Sequence, residues 1–117
     1  RKKQPNKASK EGLRIVQGGN PSALNLLIHE PKRLSILSAL SVNKKLSFKE
    51  LKAVLETTDG NLSVHCKKLE EAGYLGVQKT FEGRIPRTVY SLNAAGKKAF
   101  KDYLNYLEAL IKQVRDV

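Results

Sequence analysis

The fold is decided by residues 56–75, which read ETTDGNLSVHCKKLEEAGYL. Thr58 is a residue type that caps the start of a helix, and Gly73 is the type that most often follows the end of one. Four small or apolar residues between them recur every three or four positions, the spacing of one helix face: Leu62, Cys66, Leu69 and Ala72. The stretch therefore predicts a helix over 58–72 with that face turned inward.

The other side of this helix is polar. Its side chains are mostly hydrogen-bonding or cationic and of modest size: Asn61, Ser63, Val64, Lys67 and Lys68. Such groups suit base edges and phosphates in a DNA major groove. An ordinary solvated helix face has a similar composition, so the elements around the helix decide between the two interpretations.

The first turn of the predicted helix adds Thr58, Asp59 and Gly60. Backbone N–H groups at a helix N terminus bind phosphate well, and an acidic residue there suits the helix dipole. Asp59 has a second interpretation, in which its carboxylate accepts a hydrogen bond from a cytosine amino group. The residues alone leave both alternatives open.

The composition favours a polyanionic partner. Lysine and arginine total 22 against 11 acidic residues in 117, which gives a formal charge of +11 and a sequence pI near 9.9. Nucleic acid and an anionic membrane surface both fit that charge, but no run approaches the ~18 apolar residues of a membrane span. The length predicts one domain. A single cysteine excludes an internal disulfide, and we expect a soluble protein of the reducing cytoplasm.

We expect three parts along the chain: residues 1–19, 20–92 and 93–117. The first carries six basic residues and few apolar ones. That is too little apolar surface to offset the entropy of ordering, so we interpret it as a flexible basic arm. The second part begins with a capping residue before a proline, which predicts a helix over about 20–29.

The next two helices are short and closely spaced. Pro31 begins one that is apolar around most of its circumference, which is typical of a central helix. Ser47 and Glu50 fit a capping box and predict a helix over about 48–56, preceded by a short edge strand at Leu46. The short break before the following helix is the connection expected of a helix-turn-helix pair.

Two runs of alternating residues, beginning at Leu75 and Thr88, predict a β-hairpin. Residues 82–87 between them are predicted to form a turn with a basic tip. Arg84 lies beside a glycine there, has little to pack on, and is expected to enter a narrow, negative minor groove. Lys79 and Arg87 are expected to reach phosphates. Lys49 is a further candidate for a backbone contact, with ordinary solubilising charge as its alternative.

Asn93 is expected to cap a final helix over about 94–115, which is roughly 33 Å long at 1.5 Å per residue. One side of this helix carries a long apolar stripe: Phe100, Tyr103, Leu104, Leu107, Leu110, Ile111 and Val114. A terminal helix does not leave so much apolar surface in water, so the stripe is expected to pack against the first helix, a second subunit or both. Of these alternatives we favour dimerisation.

Several segments together resemble the small MarR/ArsR-like winged-helix transcriptional regulators of bacteria and archaea. These segments are residues 27–37, 46–51, 58–65, 69–74 and 81–90. The resemblance implies a mainly α fold with a small β-hairpin wing, a winged helix-turn-helix with an additional C-terminal dimerisation helix. Members of that family are dimeric DNA-binding regulators. It follows from the resemblance that the helix over 58–72, the recognition helix, enters the major groove while Arg84 lies along or in the adjacent minor groove.

The sequence contains no constellation typical of catalysis or of a metal site. Cys66 stands where the family has a core leucine, and we favour a small core residue over a thiol switch. His65 falls beside the apolar face and is expected to be partly buried and hydrogen-bonded to a neighbour. Together with His29, these residues lack the paired spacing of metal ligands. We therefore expect no enzyme, no cofactor and no metal.

The leading hypothesis is a dimeric, sequence-specific transcriptional regulator that binds double-stranded DNA and acts as a repressor. A two-fold dimer presents two recognition helices about 34 Å apart, so we expect a pseudo-palindromic operator. Two alternatives stay open: a winged helix that binds another protein, and an architectural protein that coats DNA without sequence choice. No cluster of residues points to a small-molecule effector.

Overall fold

Four helices and three strands follow one another over residues 24–116, the part of the chain that the computed structural model describes. The elements are α1 Pro31–Val42, β1 Leu46–Ser47, α2 Phe48–Leu55, α3 Asp59–Glu71, β2 Leu75–Glu82, β3 Ile85–Leu92 and α4 Ala94–Arg115. The predicted fold class is confirmed: the chain is mainly helical with a small β wing. The described residues fall into two compact units, Asn25–Asp102 and the stretch from Tyr103 onward. The basic arm expected over 1–19 lies outside the described residues.

Side-chain caps explain where the helices begin. The Ser47 hydroxyl accepts from the Glu50 N–H at 3.0 Å while the Glu50 carboxylate accepts from the Ser47 N–H at 2.8 Å, which is the predicted capping box. Thr58 Oγ1 accepts from the N–H of Asn61 at 3.2 Å and so begins α3. Asn93 caps α4 in the same way, through a hydrogen bond of 2.8 Å. Each cap contributes about 1 kcal/mol to helix stability.

The helix predicted over 20–29 is wrong for the described part of that segment, since residues 24–30 form turns. The N–H of Ile28 is hydrogen-bonded to the carbonyl oxygen of Asn25 at 3.1 Å. Glu30 is extended, with φ −155° and ψ 132°, and caps α1. The physical reason is that the Asn25 side chain favours the turn, since its Oδ1 also accepts from the N–H of Ile28, at 3.2 Å.

The sheet has three antiparallel strands in the order β1-β3-β2. β2 and β3 pair along all eight residues of each, so the turn is Gly83 and Arg84 alone. The predicted turn over 82–87 was therefore too long. Glu82 and Ile85, the pair next to the two-residue turn, hydrogen-bond each other through their backbones. At the next position, an N–H on residue 86 would point away from β2, so Pro86 fits into β3 although it has no N–H. β1 pairs with β3 only farther from the turn, where it does not need that N–H.

The inward face of α3 is buried as predicted. Leu62, Cys66 and Leu69 are at most 1% exposed, and α3 contacts α1, α2 and β2. Burying an aliphatic side chain contributes roughly 1.5–3 kcal/mol, so this face anchors the helix to the core. Ala72, expected on the same face, is exposed because it is the C-cap that follows the last residue of α3. Gly73, with φ +82°, ends the helix as predicted.

The last helix, α4, has the predicted bounds, Ala94–Arg115. Phe100 in the first unit and Tyr103 in the second are buried. None of the helices over residues 24–116 is long and apolar enough to cross a membrane.

Candidate nucleic-acid interface

The outward face of α3 is open to solvent. All five residues predicted for its polar side are exposed: Asn61, Ser63, Val64, Lys67 and Lys68. The opposite face is held by the core through the three buried residues described above. A helix whose one face is packed on the core and whose other face is exposed has the geometry needed to enter a groove.

An ion pair holds the N terminus of α3 to the preceding helix. Lys52 Nζ lies 2.8 Å from Asp59 Oδ1. This pair favours the structural interpretation of Asp59 over a cytosine contact, because one carboxylate oxygen already has a cationic partner. Thr58 and Gly60 are exposed beside it, and a Cβ added to Gly60 would meet no atom within 4 Å. The backbone of this first turn is therefore accessible to a phosphate.

A groove of about 720 Å³ separates α3 from the wing. Ser63 and Lys67 line its helix side, while Lys79 and Thr88 line its strand side. Two ammonium groups and two hydroxyls suit a phosphate backbone, since all four can donate to its oxygens. Two acidic residues near the end of α3 also line the groove and oppose phosphate there: Glu70 and Glu71.

Arg84 lies at the tip of the wing, in the two-residue turn between β2 and β3. Gly83 adopts φ +67°, a left-handed conformation that glycine takes without strain. The Arg84 residue is exposed. The side chain is therefore accessible to a partner at the end of the hairpin.

Arg87 and Lys49 line a second groove, of about 500 Å³, between the wing and the start of α2. The Arg87 guanidinium lies between two carboxylates, 3.7 Å from Oε1 of Glu50 and 4.0 Å from Oε2 of Glu82. Hydrogen bonds from Ser47, together with the charge of Arg87, hold the pKa of Glu50 below its ordinary value. Phosphate must therefore compete with two carboxylates for Arg87, whereas Lys49 is exposed.

His65 turns away from the open face of α3, towards α1. Its Nδ1 lies 3.0 Å from the guanidinium of Arg33 and 3.8 Å from Oε1 of Glu30. Arg33 also donates to the backbone carbonyl of Leu27. The His65 side chain is 19% exposed, which confirms the prediction of a partly buried histidine bonded to a neighbour.

The Cys66 thiol is buried and lies beside the hydroxyl of Tyr90. Burial raises the pKa of this thiol to about 11, and the contact with Tyr90 lowers it by less. A thiol that stays protonated at neutral pH is neither an active nucleophile nor a metal ligand. Within residues 24–116, no three histidine, cysteine or acidic side chains cluster as metal ligands. The structure thus supports the interpretation of Cys66 as a small core residue.

Two contributors to this surface were missed from the sequence. Thr88 faces the groove because it pairs with Lys79, and paired residues share a face of a sheet; the alternation of the two runs contained that signal. Lys52 reaches Asp59 across the turn between two helices. No helical spacing rule indicates that pair.

The apolar stripe of α4 is only partly open. Phe100 and Tyr103 are 7% and 2% exposed, so they are not available to a partner in this conformation. Leu107 and Leu110 are half-buried. The residues with the most open surface are 44–60% exposed: Leu104, Ile111 and Val114. A shallow groove of about 540 Å³ runs along this part of the helix.

Comparison with known proteins places these features in a family. Residues 32–111 match the family described as the winged helix DNA-binding domain. An uncharacterized protein of Methanocaldococcus jannaschii is 37% identical over 83 residues, which cover 70% of this chain and 89% of that protein.

Two solved structures show the same fold. The transcriptional regulator homologue of Pyrococcus horikoshii OT3 has a TM-score of 0.72 at 32% identity and covers 77% of this chain and 89% of that one. PadR of Bacillus subtilis, solved in complex with operator DNA, has a TM-score of 0.55 at 22% identity and covers 60% of this chain and 45% of that one. The family match includes the helix-turn-helix, the wing and most of α4. This chain belongs to the family of winged helix DNA-binding domains.

Proposed function

We propose that this chain regulates transcription by binding a specific double-stranded DNA sequence with α3 in the major groove. The observation that carries the proposal is the groove that Lys67 and Lys79 line from opposite sides, next to the exposed polar face of α3. Groups that read bases and groups that bind phosphate therefore share one surface, as sequence recognition requires. Membership of a DNA-binding family supports the proposal, as does the PadR neighbour solved with operator DNA.

We assign roles within this surface by position. Asn61, Ser63 and Val64 contact base edges. The amide of Asn61 suits adenine, the hydroxyl of Ser63 can donate to or accept from a base, and the apolar side chain of Val64 suits the thymine methyl group. The remaining exposed cations and the first turn of α3 contact phosphates: Lys67, Lys68, Lys79, Lys49, Thr58 and Gly60. Arg84 reaches the minor groove. Asp59 supports the first turn through Lys52, and Arg87 contacts phosphate only by exchanging its carboxylate partners.

The proposal includes a homodimer formed through α4. Leu104, Ile111 and Val114 leave apolar surface in water, and a second copy would cover it. Two copies related by a two-fold axis would read a pseudo-palindromic operator with half-sites about 34 Å apart. A dimer seated on promoter DNA would exclude polymerase, so we propose repression as the outcome.

The dimer is tested by sedimentation of the full chain and of Ile111→Asp. We expect a dimer for the wild type and a monomer for the variant, because two buried carboxylates would face each other without partners. Lys101→Asp, an exposed change of charge on the same helix, is the matched control and should remain dimeric. A monomeric wild type at micromolar concentration would contradict the dimer.

DNA contact is tested by the salt dependence of binding to duplex DNA. Lys67→Ala and Arg84→Ala should each reduce the magnitude of the slope of log K against log[salt] by about 1.8, because each change removes one counterion-displacing cation from both protomers of the dimer. Lys98→Ala is the control because Lys98 is paired with Asp102 at 2.8 Å on α4, outside both grooves. If Lys67→Ala and Arg84→Ala kept the wild-type slope, neither side chain would belong to the interface.

A further inference from the structure

Phe81 is an aromatic residue left open to solvent near the end of the wing. It is 69% exposed and pairs across the hairpin with Pro86, which is also exposed. An aromatic side chain carries a large apolar surface, which is available to a partner at this place. Ile85, which is 70% exposed, lies at the same end of the hairpin and provides an internal comparison.

Phe81 lies on the face of the wing that looks toward α3. Side chains alternate between the two faces along a strand, so Phe81 shares a face with Lys79 and Val77. Lys79 and Val77 line the groove beside α3, which identifies the face. Ile85 pairs with Glu82 and therefore belongs to the other face.

The groups along this face follow the order of the parts of a DNA duplex. α3 comes first, then Lys79 in the groove, then Phe81 about 7 Å farther along the strand, and then the turn with Arg84 about 7 Å beyond that. A duplex entered by α3 presents a major groove, a phosphate backbone, the deoxyribose wall of the minor groove and the minor groove itself, which is about 6 Å wide. Each group along this face of the protein thus has a chemically complementary part of the duplex opposite it, in the same order.

The surrounding charges favour DNA over an apolar protein partner for this position. Phe81 lies between two cations on the hairpin, Lys79 and Arg84, both of them exposed, in a chain with a formal charge of +11. Those cations attract phosphates to both sides of the ring. Deoxyribose presents C–H groups between the phosphates, and an aromatic ring can bury its apolar surface against them.

We propose that Phe81, supported by Pro86, packs against the deoxyribose wall of the minor groove next to the phosphate contacted by Lys79. The contact positions the wing and so fixes how deeply Arg84 enters the minor groove. This inference rests on the proposed DNA-binding function and adds an apolar contact to it. Because the contact neutralises no charge, it contributes affinity without contributing to the salt dependence.

The first test compares three variants of the full chain on one probe. The probe is a labelled duplex of about 30 base pairs, long enough for two half-sites, recovered by the wild type from a random-sequence pool. Phe81→Ala should bind roughly tenfold more weakly per half-site, and so roughly a hundredfold more weakly on this duplex, because each aromatic ring of the dimer no longer buries its surface. The salt slope should be unchanged. Thr80→Ala and Ile85→Ala, which change exposed residues on the other face, should bind as tightly as the wild type.

The second test uses hydroxyl-radical cleavage of the same duplex, which reports the accessibility of individual deoxyribose groups from the minor groove. The wild type, Thr80→Ala and Ile85→Ala should protect the same sugars. Phe81→Ala should lose protection at the sugars beside the wing and retain it elsewhere, at protein concentrations that saturate the probe. Thermal unfolding of each variant establishes that the hairpin change has not unfolded the chain.

The outcomes separate this inference from the function on which it rests. If the wild type recovered no duplex and bound none, the proposed function and this inference would both fail. If the wild type bound and Phe81→Ala matched it in affinity and sugar protection, only this inference would fail. A loss of affinity for Ile85→Ala equal to that for Phe81→Ala would also overturn it, because the contact would then not belong to the face toward α3.

Discussion

The guanidinium of Arg33 donates a hydrogen bond to Nδ1 of His65 across 3.0 Å and so ties α1 to the recognition helix, α3. Arg33 has no acceptor atoms, so Nδ1 must be unprotonated and the imidazole carries its proton on Nε2. The same guanidinium donates to the carbonyl of Leu27. One side chain thus joins three segments: the turn before α1, α1 itself and α3.

Arg33→Ala should lower the free energy of unfolding by about 2–4 kcal/mol, because it leaves the carbonyl of Leu27 and Nδ1 of His65 without their donor. Urea unfolding followed by circular dichroism measures this. Arg33→Lys is the informative control, since a single ammonium cannot reach all of these acceptors and should restore only part of the loss. An Arg33→Ala variant as stable as the wild type would show that the hydrogen bonds contribute nothing net.

Two glycines in helices should respond oppositely to alanine. A Cβ on Gly96 would overlap the carbonyl oxygen of Tyr74 and lie 2.7 Å from Cδ1 of Leu92. Gly96→Ala should therefore cost about 1–3 kcal/mol of overpacking. Gly60 has open space around it, so Gly60→Ala should raise the free energy of unfolding by up to about 1 kcal/mol through helix propensity. Equal effects of the two changes in thermal unfolding would refute the packing assigned to Gly96.

The thiol of Cys66 should be inert in the folded protein. With its pKa raised to about 11, about one thiol in a thousand is ionised at pH 8, and the side chain is 1% exposed. Iodoacetamide should modify the native chain far more slowly than the chain in guanidinium chloride, and diamide should leave DNA binding unchanged. Rapid alkylation of the native protein would mean that α3 opens readily, against the packing seen here.

The carboxylate of Glu50 makes the free energy of unfolding depend on pH in the acidic range. Its pKa lies below the ordinary value of 4.5 in the folded chain because of hydrogen bonds from Ser47 and the nearby Arg87. A lowered folded pKa contributes stability that is present above the unfolded pKa and lost as the pH falls through the folded one. Glu50→Gln should thus be less stable than the wild type at pH 7, and the difference should shrink below about pH 4.5. Parallel stability curves for the two proteins between pH 3 and pH 7 would contradict this.

Local signals predicted much of the fold. The capping box at Ser47, the cap at Thr58 and the glycine at position 73 set helix ends that the structure reproduces, because each depends on neighbours within three or four residues. The helix over 20–29 was wrong over its described part because the hydrogen bond from the Ile28 N–H to the Asn25 side chain favours a turn, which outweighed the apolar spacing. The wing turn was too long because Pro86 looked like a strand breaker, and only the register shows that its missing N–H is not needed.

The exposed face of the candidate site could be predicted from the sequence, but the ion pairs around it could not. Which face of α3 stays exposed follows from periodicity, and the structure agrees for Asn61 and Lys67. The carboxylates around Arg87 and the ammonium group beside Asp59 come from other elements of the fold. Such contacts depend on how helices and strands pack, which the order of residues along the chain does not reveal.

We propose that α3 reads DNA sequence through its exposed face. The decisive experiment compares the affinity of the full chain for a duplex that it selects from a random pool with its affinity for a scrambled duplex of the same composition, at physiological salt. We predict a preference of at least about 10³-fold, and a clear reduction of that preference for Asn61→Ala. Equal affinity of the wild type for the two duplexes would contradict the claim.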